Sequence, residues 1–311
     1  MAEKVTIVTP SRLHFGMVNP FVKELRRYVS AGVAVSNPVN TVVVEEGEGL
    51  RIDGCRSSEL FSRIAGFAEK HRLSGHVNVM ECVPRHVGLG STTQLVLAAA
   101  YGLAVLNGSP MDPVEIARET GLGRYSGVGT YVFKHGGFIL DAGKSASSEF
   151  PALLTRLEFP EDWVFIVIVP PGQGLGEAQE DMVFREQPGI PLELVWKASH
   201  HMLELSSSVA DRDYSSFTRA LTMLQETVGS MFSRYQGGVF STGSSEAVRA
   251  LRKAGVEGVG QSSWGPTVYG VVEGLEEAEK ILGRIERKPD WRIFVAKPCN
   301  RGALVNHGVE A

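Results

Sequence analysis

The 311-residue chain has only three cysteines, Cys55, Cys82 and Cys299, and no CxxC pair among them. That number and spacing suggest neither a zinc site nor a disulfide framework. Long apolar runs are missing too. The most apolar stretch, Leu95 to Leu106, is too short to span a bilayer and lies between Gln94 and Asn107. No basic-then-apolar segment opens the chain, which enters the strand pattern Val5-Thr6-Ile7-Val8 almost at once. These absences lead to the expectation of a cytoplasmic protein with no membrane partner. Blocks of like charge are absent as well. Net charge is −4, and the cluster Lys23-Glu24-Leu25-Arg26-Arg27 is short enough to be a solvated loop, so nucleic acid is not an expected partner.

What is present suits a folded enzyme-sized chain. Hydrophobic residues make up 43% and charged residues 21%, enough to build one large domain or two ordinary ones with proper cores. Lys4 to Thr9, Asn40 to Glu45 and Gly75 to Cys82 read as strands, and Ser58 to His71 as an amphipathic helix. Asp112-Pro113-Val114-Glu115 is a helix start, with a capping Asp and Pro in the first turn. Trp163 to Val169 is a continuous apolar strand, expected to be buried on both faces. Helices at Leu192 to Ser208, around Phe217 to Val228, and at Ser245 to Ala254 follow. Strands at Val256 to Gly260, Thr267 to Val272 and Arg292 to Ala296 then flank a helix at Leu275 to Ile285. The pattern is α+β, and the polar run Lys144 to Ser148 leads to a division into residues 1–155 and 156–311.

Four glycine-rich or polar segments could carry chemistry. Gly88-Leu89-Gly90-Ser91-Thr92-Thr93-Gln94 links a strand to an apolar helix. Free N–H groups at a helix start can cradle a phosphate, although such a segment can also be only a tight turn; with no Lys after the second glycine it is not a Walker A loop. In Pro10-Ser11-Arg12-Leu13-His14-Phe15-Gly16, Arg12 and His14 point to one side of an extended chain. They could bind an anion, or serve as a surface salt-bridge residue and a core histidine. Gly121 to Gly137 holds six glycines, more than a connection needs. In Gln261-Ser262-Ser263-Trp264-Gly265, Trp264 could stack on a ring or anchor a hairpin in the core. His200 and His201 are adjacent on a helix and face different sides, so they make no shared metal site.

These segments resemble the three motifs of the galactokinase–homoserine kinase–mevalonate kinase–phosphomevalonate kinase superfamily. Within it, Ser11 to Gly16, Gly88 to Gln94, Ser126 to Thr130 and Gly258 to Tyr269 are similar to the β-ribofuranosylaminobenzene 5′-phosphate synthase family. The resemblance implies a two-domain fold with an N-terminal mixed domain and a ferredoxin-like C-terminal domain. It implies transfer of phosphoribosyl from phosphoribosyl pyrophosphate to 4-aminobenzoate or 4-hydroxybenzoate, with loss of CO2 and pyrophosphate, in methanopterin synthesis. The implied partners are small molecules, with a homodimer left open, and the implied cofactor is Mg2+ on Ser91 and Glu119. Glu119 has an equal alternative as a solvated helix-end carboxylate. Asp141 and Glu177 are candidates for stabilising a ribosyl cation. Superfamily kinases that use a catalytic Asp carry it about seven residues before a Gly-Gly pair. Here that pair is Gly136-Gly137 and the corresponding positions are Gly129 and Thr130, so an ATP-dependent kinase is the alternative without its base.

Overall fold

The computed structural model describes residues 3–145, 147–186 and 188–309. The first layer is laid down by β1 (Glu3–Met17), β2 (Ser30–Glu45), β3 (Leu50–Gly54), α1 (Ser57–His71), β4 (Gly75–Glu81), α2 (Ser91–Leu106), α3 (Pro113–Glu119), α4 (Val128–His135), β5 (Phe138–Asp141) and β6 (Leu153–Leu157). The second follows with β7 (Trp163–Val169), α5 (Glu177–Glu186), α6 (Leu192–Asp211), α7 (Tyr214–Gln236), α8 (Thr242–Lys253), β8 (Gly258–Gln261), β9 (Val268–Glu273), α9 (Gly274–Arg284) and β10 (Arg292–Ala296). A last strand, β11 (Leu304–Val309), returns to pair antiparallel with β1.

Among the described residues the first sheet runs β11-β1-β2-β4-β3, with β5 and β6 attached through β2. β3 and β4 are parallel, joined by α1 as a crossover. The second sheet runs β10-β7-β9-β8 and is antiparallel throughout, the order expected of a ferredoxin-like unit. β7 explains how its helices divide. Trp163, Phe165 and Val167 pack with Leu205 of α6 and Phe217 of α7, while Val164, Ile166 and Ile168 pack with Val248 of α8 and Ile281 of α9. An apolar strand without alternation is what burial on both faces requires.

β1 does not stop at Thr9. Pro10 cannot donate to a ladder, and the pairing with β2 shifts register between Thr9 and Ser11 and again between His14 and Gly16. Between those bulges the strand continues, and its period of two separates the functions of its faces. Leu13 and Phe15, both fully buried, enter the core. Phe15 sits 5.6 Å from the Tyr269 ring, 5.9 Å from Phe217 and 6.2 Å from Phe138, so one side chain joins the two layers. Arg12 and His14 occupy the other face.

Two expectations are corrected here. Cys55 and Cys82 form a disulfide, with Cα atoms 6.4 Å apart. They follow the ends of β3 and β4, and parallel pairing with Gly54 opposite Val79 brings those ends together. Sequence separation hid that proximity. The segments β3, α4, β6, α5 and β11 were not expected as elements, and α5 matters most for the site. Its only buried residues are Val183 and Phe184, so it carries almost no apolar period.

Candidate active site

The glycine turn and the 261–265 loop meet at the end of β1. Gly88 has φ 88°, and a Cβ there would lie 2.4 Å from the Ser262 carbonyl oxygen, so a side chain would part the two loops. Ser262 joins all three motifs: its Oγ accepts from the His14 backbone N–H at 2.9 Å and donates to the Gly88 carbonyl at 2.5 Å. The Arg12 N–H donates to Leu89 O at 3.0 Å. Gly90, at φ 73°, caps α2 with no side-chain hydrogen bond to the first turn. Its N-terminal N–H groups thus lack a side-chain cap at the positive end of the dipole.

Two adjoining cavities open at this junction. One, of about 170 Å3, lies against Gly88, Gly90, Ser91, Thr92 and Gly265. The other, of about 200 Å3, is walled by Tyr125, Phe184, Phe232, Phe240 and Val239, with His14 and Gln261 among its polar groups. Arg12, Thr93, Glu177, Glu180, Ser263 and Trp264 line both. One cavity is lined by the glycine turn and the start of α2, and its neighbour is an aromatic-walled slot.

Arg12 is the main fixed charge between them. Its Nη1 donates to Gly88 O at 3.3 Å, while its buried Nε has no partner among the described residues. Burial pushes its pKa down to about 10 against the attraction of Glu180, so it stays cationic at neutral pH. A half-buried guanidinium with an unpaired, buried Nε is chemically suited to an anion. His14 accepts from the Gly16 N–H on Nδ1 at 3.2 Å, which leaves Nε2 to carry the proton toward Ser126 Oγ at 3.3 Å. Burial, and then the charge of Arg12, hold its pKa well below the usual histidine value. His14 is therefore a neutral donor. Glu180 of α5 accepts from the Trp264 indole at 2.9 Å, and the indole packs edge-on against Phe232 at 4.9 Å. Burial raises the Glu180 carboxyl, with Trp264 and Arg12 opposing.

The sequence candidates divide accordingly. Arg12, His14, Glu177, Gly88, Gly90, Ser91, Thr92, Thr93, Gln261, Ser263, Trp264 and Gly265 line one cavity or both. Leu89, Gln94 and Ser262 are buried behind the surface; Gln94 donates to Gly129 O at 2.7 Å and Ser262 ties the loops together. Asp141 is fully buried and lines neither cavity. Its carboxylate accepts from the N–H groups of Ser30, Gly127 and Gly143 and from the hydroxyls of Ser30 and Ser126. It organises the turn that presents Ser126 to His14. Glu119 is also displaced from the site. It ends α3, where His71 at 2.6 Å and Lys70 at 3.0 Å, both in the last turn of α1, pair with it. Glu180 was missed, because the polar helix that carries it gave no sign of facing a cavity.

The chain is similar to known proteins over its length. Residues 59–137 match the GHMP kinases N terminal domain and residues 205–290 the GHMP kinases C terminal family. Among solved structures, homoserine kinase from Cytophaga hutchinsonii superposes with a TM-score of 0.72 at 18% identity, covering 97% of each chain. Mevalonate diphosphate decarboxylase from Enterococcus faecalis superposes at 0.67 and 13% identity, covering 99% of this chain and 100% of its own. These likenesses show the fold. Curated relatives go further. Beta-ribofuranosylphenol 5′-phosphate synthase from Archaeoglobus fulgidus is 29% identical over 96% of this chain and 98% of its own. The protein of that name from Methanothermobacter thermautotrophicus is 30% identical over 98% of this chain and 99% of its own. Matched end to end at that identity, the chain belongs to the β-ribofuranosylphenol 5′-phosphate synthase family, built on the two GHMP kinase domains.

Proposed function

We propose that the chain transfers the 5-phosphoribosyl group of phosphoribosyl pyrophosphate to a para-substituted benzoate, 4-hydroxybenzoate in the first instance, releasing CO2 and pyrophosphate. The observation that carries this reading is the pair of adjoining cavities, one built for phosphate oxygens and one walled by aromatic rings, with Arg12 between them. The relatives' name, a ribofuranosylphenol phosphate synthase, favours the hydroxy acid over 4-aminobenzoate.

The uncapped start of α2 and the Arg12 guanidinium receive the pyrophosphate, so charge that grows on the leaving group meets donors already in place. The benzoate lies in the aromatic slot, where Trp264 and Phe232 hold its ring toward the sugar. As the bond from the anomeric carbon to pyrophosphate breaks, its electron pair leaves with the pyrophosphate. The benzoate ring carbon that bears the carboxylate gives a pair to the anomeric carbon. The carbon–carboxylate bond then breaks and its pair returns to the ring. Carbon dioxide departs where a proton would otherwise have to be removed, so no general base is needed. His14, neutral and donating from Nε2, contributes hydrogen bonding and not proton removal.

Oxygen donors suit magnesium. Among the described residues no cluster of three or more His, Cys, Asp or Glu could cage a metal. Mg2+ is commonly held by one or two protein oxygens together with substrate phosphates and water, and Ser91 and Glu177, which line the phosphate cavity, would hold it there. When bound, the ion would neutralise charge on the leaving pyrophosphate. Incubation of the protein with phosphoribosyl pyrophosphate, 4-hydroxybenzoate and Mg2+, read by mass spectrometry, is expected to yield the ribosylated phenol 5′-phosphate. Absence of that product with either benzoate would remove the proposal.

A further inference from the structure

We infer that Glu180 is the carboxylate that stabilises the positive charge developing on the ribosyl ring; the assignment rests on the reaction proposed above. In a displacement at the anomeric carbon, the leaving group and the attacking ring lie on opposite sides of that carbon. The cationic centre therefore forms at the boundary between the phosphate cavity and the aromatic slot. Six residues line both cavities, and only Glu177 and Glu180 among them are carboxylates.

The two differ in how their charge is spent. Glu177 begins α5, is 43% exposed in its side chain, and is ion-paired with Arg63. Glu180 lies one turn further on and forms no ion pair within 4 Å among the described residues. Its Oε1 accepts from the Trp264 indole, which fixes the side chain and leaves Oε2 without a protein donor among the described residues. The Trp264 ring in turn packs edge-on against Phe232 and Phe184, which also contact each other. Glu180 is thus a positioned carboxylate with one oxygen unspent.

Its relation to Arg12 supports the same role. The two residues attract each other electrostatically without forming a direct ion pair, and they line the same boundary. Bond cleavage separates charge in the same sense: negative on pyrophosphate, positive on the ribosyl ring. A guanidinium and a carboxylate fixed before reaction favour that separation without reorganising during it. Asp141 cannot serve, because it lines neither cavity and its oxygens are taken by Ser30, Ser126, Gly127 and Gly143, and Glu119 lies outside the site. In the chain's architecture Glu180 comes from the second layer while the phosphate turn comes from the first, so the site is complete only where the layers meet.

The test is steady-state kinetics of Glu180→Gln and Glu180→Asp beside the wild type, with release of label from carboxyl-labelled 4-hydroxybenzoate as readout. Glu180→Gln keeps an oxygen for the Trp264 indole and loses only charge. It is expected to lower kcat by about 100-fold, the usual cost of removing one electrostatic stabiliser, with each KM changed by less than about threefold. Glu180→Asp should retain part of the rate. In Glu180→Gln the secondary tritium isotope effect at the anomeric carbon should rise, as bond cleavage becomes rate-limiting. A Glu180→Gln enzyme with kcat within about threefold of wild type overturns the assignment alone. Equal loss in both variants with an unchanged isotope effect also overturns it, in favour of a packing role. A wild type that releases no label overturns the reading of the site and this assignment with it.

Discussion

Trp264 belongs to both cavities yet should not serve both substrates equally. Its ring faces an aromatic wall, and aromatic contacts are worth about 0.5–1.5 kcal/mol beyond buried area. Trp264→Ala should weaken benzoate binding by about 2- to 13-fold from ring contact alone, while phosphoribosyl pyrophosphate affinity changes less. Isothermal calorimetry with each ligand separates the two, and an unchanged benzoate affinity contradicts the placement. Asp141 gives a different kind of prediction, because its role is to hold the Ser126–Gly127 turn. Burial raises its carboxyl to about 6 in the fold, against hydrogen bonds that pull it down, from an ordinary value of 3.8. A carboxyl raised on folding binds its proton more tightly in the native state. Its contribution is therefore fully present below pH 3.8 and is lost as pH rises through about 6. Asp141→Asn cannot titrate, so the variant should be more destabilised relative to wild type at pH 4 than at pH 7. The difference should be at most about 3 kcal/mol. Denaturant unfolding at the two pH values checks it, and a penalty that grows toward pH 7 contradicts it.

On the proposed reading the strand-to-helix turn holds the phosphates, and Gly90 is its most sensitive point. A Cβ at Gly90 would lie 3.3 Å from Arg12 Cβ, and φ 73° is strained for any β-branched residue. Gly90→Val should lower phosphoribosyl pyrophosphate affinity by at least about tenfold, equivalent to about 1.4 kcal/mol, with the near-ultraviolet circular dichroism of the fold retained. Normal affinity by calorimetry would contradict the cradle. How much of this was legible varied from element to element. The turn itself was readable, because glycines before a continuous apolar helix leave few other conformations. So was β7, whose unbroken apolar run fits only a strand covered on both faces. β1 was readable only in part. Pro10 suggests an end, but a bulge absorbs it and the ladder resumes, which is what places Arg12 and His14 in an extended segment. α5 was not readable, since most of its side chains face solvent or the cavities and it shows no apolar stripe. Glu180 was hidden with it. Glu119 was misplaced for a different reason: counting residues from a motif fixes a position along the chain, whereas α3 carries that position to the basic end of α1.

At the scale of the whole molecule, the fold is that of the GHMP kinases. Gly129 and Thr130, where the resemblance would place a kinase aspartate, lie on the buried part of α4, and Thr130 is 1% exposed. The carboxylates that line the cavities come instead from α5, on the other layer. No described helix is long and apolar enough to cross a membrane. Phe15, packed against rings from both layers, keeps the two halves in register, and the cavities exist only at that seam. The account stands or falls on whether the aromatic acid loses its carboxylate as pyrophosphate leaves. Wild-type protein with carboxyl-labelled 4-hydroxybenzoate, phosphoribosyl pyrophosphate and Mg2+, and with no ATP present, is predicted to release one CO2 for each pyrophosphate. Label that stays on the ring, or turnover that requires ATP and a hydroxylated acceptor, would contradict it.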